Sequence, residues 1–87
     1  MPMSLKSDYP SAADEQLVAW AKDGDTAAFE ELIHRHRDKI YARAMIMMRN
    51  EGDAIDLSQE AWVKSWQRLH QFQGESSFAT WMTRIVI

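Results

Sequence analysis

With 87 residues and no cysteine, the chain has room for one small domain and excludes a disulfide framework or a thiolate metal site. A chain this short hides only about 60% of its unfolded surface, so four Trp and three Phe must supply much of the core. The formal charge of -3 is segregated, with -5 on residues 1–31, +4 on 32–50, -4 on 51–63 and +2 on 64–87, a distribution that argues against non-specific duplex binding and leaves local nucleic-acid contact open.

Residues 1–12 are polar, broken by Tyr9-Pro10, and read as a flexible N-terminal tail. They hold no apolar run, so neither a secretory signal nor a membrane span is expected. That absence and the lack of cysteine suit a cytoplasmic protein. A first short helix follows, capped by Ser11 or Asp14, with Leu17, Val18 and Ala21 on one face and Trp20 beside them. Asp23-Gly24-Asp25 ends it, and Asp25 or Thr26 caps the next.

The second helix is the longest. Phe29, Leu32, Ile33, His36, Ile40, Ala44, Met47 and Met48 recur at spacings of three and four, a helical period that excludes a strand. Arg35, Arg37, Lys39 and Arg43 occupy its other face, which reads as solvated. Asn50-Glu51-Gly52-Asp53 is turn chemistry, with Gly52 expected to end one helix and Asp53 to cap the next. In the third helix Trp62, Trp66 and Leu69 form a core-facing stripe beside Leu57, Ala61 and Ser65, leaving Gln59, Glu60, Val63, Lys64 and Gln67 for any partner.

A polar loop, Gln73-Gly74-Glu75-Ser76-Ser77, separates Phe72 from Phe78. Ser76 or Ser77 then caps a fourth helix in which Phe78, Trp81, Met82, Ile85 and Val86 share a face. That pattern still runs at Ile87, so the natural protein is expected to continue, the domain being truncated at its C-terminal end. The fold class is all-α, a compact domain of four orthogonally packed helices over residues 13–87.

Catalytic and metal chemistry find little purchase. Glu31-Leu-Ile-His34 matches the Glu-x-x-His unit of helical di-iron sites, but those need a second copy and two further Glu residues on facing helices. His34, His36 and His70 read as surface or edge histidines. No Gly-rich phosphate cradle or nucleophile elbow accompanies Ser76 and Ser77. No enzyme activity, catalytic residue, cofactor or metal is expected.

Three segments together resemble a bacterial sigma factor, and more narrowly region 2 of the extracytoplasmic-function class. They are Asp56-Leu57-Ser58-Gln59-Glu60 with Trp62-Val63-Lys64, then Phe72-Gln73-Gly74-Glu75-Ser76-Ser77-Phe78, then Thr80-Trp81-Met82-Thr83-Arg84-Ile85. The likeness runs from about Asp14 to Ile87. It implies a transcription-initiation factor that docks on the β′ clamp helices of core RNA polymerase through Asp56, Gln59, Glu60 and Val63. It also implies recognition and melting of the promoter minus-ten element, with one flipped base of the non-template single strand trapped at the loop. By position the DNA-contacting residues are Lys64, Arg68 and Arg84 toward phosphates, Phe72 closing over the base, Ser76 and Ser77 on its edge, and Thr83 nearby.

An anti-sigma factor covering these surfaces is a further implied partner. Primary sigma factors carry two adjacent aromatics as a wedge, whereas here Met82 follows Trp81 and both fit the core stripe, so Trp81 is expected to be structural. The helix-turn-helix domain that reads the minus-thirty-five element is absent from these residues. The competing reading is a helical adaptor that binds protein and ignores DNA.

Overall fold

The computed structural model describes residues 8–87, so the start of the expected tail lies outside the described residues. Four α-helices follow in order: α1 (Asp14–Lys22), α2 (Thr26–Met48), α3 (Glu51–Arg68) and α4 (Phe78–Val86), with a 3-10 turn, Leu69–Gln71, extending α3. No strand occurs among the described residues. The long helices α2 and α3 pack along each other, α1 lies against α2, and α4 closes the bundle against both α2 and α3. The resulting body measures 47 × 23 × 18 Å.

The core is built where apolar spacing makes helix faces meet. Leu17, Leu32, Ile40 and Met82, one or two from each of α1, α2 and α4, are fully buried. On α3 the innermost line is Ala54, Ala61 and Ser65, continued by Leu69 of the 3-10 turn. Small residues there let α2 approach closely. Trp62 and Trp66, expected to lead that stripe, flank it instead: Trp62 is half-buried and Trp66 is 38% exposed. Both still pack on Phe29, with ring centroids 6.0 and 5.0 Å away. The Ser65 hydroxyl, buried completely, donates to the Trp62 carbonyl at 2.8 Å, so its polarity is satisfied within the helix.

Helix ends depart from expectation in instructive ways. Ala13 occupies the cap position of α1 without a side-chain bond. The Asp14 carboxylate reaches across to α2 instead, accepting from Arg35 Nη1 at 3.0 Å and contacting His36 Nε2 at 2.8 Å. Asp25 caps α2 as read, accepting from the backbone of Ala27 and Ala28. Gly52 does not end α2, nor does Asp53 cap α3. Arg49, at φ 56°, turns left-handed and closes α2, and the Asn50 side chain caps α3 by accepting from Asp53 N at 2.9 Å. Asn and Asp cap about equally well, so the reversal at Arg49, which leaves Asn50 extended at the start of α3, decides which of them is used.

The helix α2 also outruns its partners. Ala44 is its last buried residue, and Met47 and Met48, placed on the core stripe by spacing, are 44% and 41% exposed. Its basic face is not uniformly solvated either. Arg37 and Lys39 are exposed, but Arg35 and Arg43 are half-buried. Arg35 binds Glu31 and Asp14, each at 3.0 Å, and its other nitrogen donates to the carbonyls of Tyr9 and Pro10. Burial, the largest influence, lowers the Arg35 pKa, yet hydrogen bonds to Glu31 and Asp14 outweigh it and hold the guanidinium above its ordinary value. Thus the described end of the expected tail is stitched to the domain. Tyr9 stacks edge-on against Trp20 at 5.7 Å and donates its hydroxyl to Asp25 at 2.7 Å.

Candidate functional site

Two surfaces are built around the stretch of chain that follows Asn50. The first is the outer edge of α3. Ala54, Ala61 and Ser65 face inward, and the helical period of 3.6 turns Asp56, Gln59, Glu60 and Val63 outward, where all four are exposed. Val63 stands out as an apolar side chain 57% exposed on an acidic edge. Glu60 makes only a long i,i+4 contact with Lys64, 3.9 Å across an exposed pair, which restrains it little. The four residues are therefore one accessible row.

The second surface surrounds the loop between the 3-10 turn and α4. The loop is held by its own chemistry. Gly74, at φ 78°, makes the reversal, a left-handed conformation that costs side-chain-bearing residues. Glu75 Oε1 accepts from Gln73 N at 3.2 Å. Ser77 caps α4, its hydroxyl accepting from Thr80 N at 3.1 Å and donating to Thr80 Oγ1 at 3.0 Å, while Ser76 Oγ donates to the Ser77 carbonyl. Both hydroxyls are thus already engaged, with spare acceptor capacity on each oxygen.

Phe72 sits at the start of this loop and lines the cleft beside it. Its ring, which the family resemblance sets over a base, is 6% exposed. It packs edge-on against Phe78 at 6.2 Å and on Trp81 at 5.0 Å, because an apolar ring between two aromatic neighbours gains more from the core than from water. Trp81 belongs to the same aromatic cluster, with Phe78 5.9 Å away, in keeping with the structural role expected of it.

Between this loop and α1 lies a cleft of about 270 Å³, lined by Glu15, Ala19 and Lys22 on one side and by Phe72, Gly74, Ser76 and Ser77 on the other. Lys64, Arg68, Thr83 and Arg84 are not among its lining residues. Arg68 and Arg84 are exposed, Lys64 and Thr83 half-buried, and the Thr83 hydroxyl bonds back to the Ala79 carbonyl at 2.8 Å. Sequence reading missed the α1 wall altogether. Lys22 Nζ donates to the Phe72 carbonyl across 50 positions of chain, a contact that no local pattern encodes.

Glu31 of the Glu-x-x-His unit is committed to Arg35, and among the described residues no group of three or more His, Asp or Glu side chains gathers. Also among the described residues, no helix is long and apolar enough to cross a membrane.

Comparison with known proteins places these surfaces in context. Residues 32–87 match the family described as Sigma-70 region 2. The chain is 36% identical over 74 residues to the RNA polymerase sigma-H factor of Pseudomonas aeruginosa, covering 85% of this chain and 38% of that protein. It is similarly 36% identical to the ECF RNA polymerase sigma-E factor of Escherichia coli K12, with the same two coverages. The corresponding protein of Haemophilus influenzae is 34% identical, with 85% of this chain and 39% of that protein covered. The chain thus spans about two fifths of the length of the curated relatives it matches. The helical order, the exposed acidic edge and these likenesses agree: the chain belongs to the Sigma-70 region 2 family, on the side of its extracytoplasmic-function members.

Proposed function

We propose that the chain is the transcription-initiation domain of a sigma factor, docking on core RNA polymerase with one face and reading single-stranded promoter DNA with another. The observation that carries this reading is the exposed row Asp56, Gln59, Glu60 and Val63 on α3. An acidic helix edge with one apolar contact suits a basic coiled coil such as the β′ clamp helices, where charge complementarity supplies encounter rate and register and Val63 supplies buried area. The loop that follows Phe72 takes one flipped base of the minus-ten non-template strand. Lys64, Arg68 and Arg84 provide cations for the flanking phosphates, Phe72 forms the apolar wall, Ser76 and Ser77 supply polar contacts in the cleft, and Thr83, outside it, meets the strand beside Arg84. Unstacking a base costs a few kcal/mol, returned by contacts in the cleft, so melting is driven by binding and no bond is made or broken by this domain. The setting is the cytoplasm, and an anti-sigma factor would act by covering these same faces.

Titration against a β′ clamp-helix fragment and against a single-stranded minus-ten oligonucleotide tests both halves. Wild type binds both. Reversing Asp56 and Glu60 to Lys together weakens the clamp complex by roughly tenfold or more while far-UV circular dichroism stays unchanged. Unaltered clamp affinity in that variant would sink the docking assignment, and a wild type that binds the clamp but ignores DNA would establish the protein-only adaptor in its place.

A further inference from the structure

The loop proposed to take a base has one anchor that comes from neither α3 nor α4. Lys22, in the last turn of α1, reaches the carbonyl of Phe72, the residue at which the 3-10 turn gives way to the loop. That carbonyl immediately precedes Gln73 and the left-handed Gly74, so whatever fixes it fixes the direction in which the loop leaves the bundle. The bonds from Gln73 N to Glu75 and from Thr80 N to Ser77 hold the loop to itself and to α4. The Lys22 bond differs from these in coming from α1, the opposite wall of the 270 Å³ cleft.

We infer that Lys22 is a positioning residue for base recognition: its ammonium braces the loop against α1 and sets the width of the cleft that receives the base. The inference rests on the base-trapping reading of the loop. A charge-assisted bond to a backbone carbonyl makes a good brace, being stronger than a neutral one and independent of any side chain the loop carries. Rigid placement matters because a site loose by about 1 Å forfeits much of its discrimination. Removing the brace while keeping the aliphatic stem, as in Lys22→Met, should therefore flatten the choice between bases without abolishing the fold. Lys22→Arg, which can still donate to the carbonyl, should restore most of it.

The test uses the 87-residue chain and fluorescence anisotropy with a dT strand of about ten nucleotides and three versions bearing a single central A, C or G. Wild type is expected to prefer one central base by about tenfold, a preference that Lys22→Met reduces to about twofold and Lys22→Arg largely recovers. Affinity for the least favoured strand, governed by phosphates, should stay within about twofold across the variants. In parallel, backbone order parameters at residues 73–77 should fall from about 0.85 to below about 0.6 in Lys22→Met, with helix residues unchanged. Lys22→Met with wild-type order in the loop overturns the brace. Lost order with an intact base preference overturns its role in recognition. A wild type with no preference for any central base overturns the base-trapping reading itself, and the order parameters then still decide whether Lys22 holds the loop.

Discussion

At the scale of single residues, two backbone and titration details lead to measurable consequences. Tyr9 ionises near 10 when free, but in the fold its pKa is pushed up to about 12, first by the hydrogen bond it donates to Asp25 and then by burial and the carboxylate's charge. The folded state therefore favours the neutral phenol. Its contribution is present in full below pH 10, where the unfolded chain also keeps the proton, and is lost as pH rises toward 12. Thermal melts between about pH 9 and 12 should show a fall that is shallower in Tyr9→Phe than in wild type. Arg49 offers the converse opportunity. It carries a side chain at φ 56° where α2 ends, a conformation that glycine adopts without the steric cost of a Cβ. Arg49→Gly should raise stability by about 0.5–1 kcal/mol in urea titrations, with an unchanged slope.

At the scale of the elements, the caps decide which short helices survive on local chemistry. The α4 helix has nine residues, too few to be stable alone, and its start depends on the Ser77 hydroxyl accepting from Thr80 N. Ser77→Ala should cost about 1 kcal/mol, seen as a fall of roughly 4–8 °C in Tm for a domain of this size. Ser77→Asp retains a capping oxygen and should melt near wild type, yet bind single-stranded DNA more weakly because it sets a negative charge in the cleft. The helices themselves were legible from sequence, since Phe29, Leu32, Ile40 and Ala44, or Phe78, Met82 and Val86, are buried at the spacings that revealed them. Their ends were not. The expected cap at Asp53 and stop at Gly52 lost to Asn50 and Arg49, because several residues of one turn can cap and only the packed path of the chain selects among them. On α3 the helical period alone turned Gln59, Glu60 and Val63 outward, and all three are exposed, whereas Asp56 entered through the family resemblance and Trp66, read as core, is 38% exposed. What the sequence hid were contacts across 16 to 50 positions: Tyr9 with Asp25, Arg35 with Asp14, and Lys22 with Phe72.

At the scale of the whole molecule, a periodic stripe buries side chains only where another helix lies opposite it. The helix α2 continues past Ala44, its last buried residue, for one more turn whose Ile46, Met47 and Met48 are 70%, 44% and 41% exposed. Equal hydrophobicity therefore carries unequal weight along one helix. Leu32, fully buried, belongs to the core cluster to which α1, α3 and α4 also contribute, so Leu32→Ala removes contacts that the neighbours cannot refill and should cost about 2–5 kcal/mol. A domain of this length has only about 5–15 kcal/mol in all, so that single change brings it close to unfolding at physiological temperature. Ile46→Ala, by contrast, should lower the stability read from urea titration by no more than about 0.5 kcal/mol, since most of that side chain already meets water. Equal losses in the two variants would mean that the end of α2 is covered in solution by something the isolated fold does not contain, and the concentration dependence of the midpoint would tell a second copy from a rearrangement within one chain.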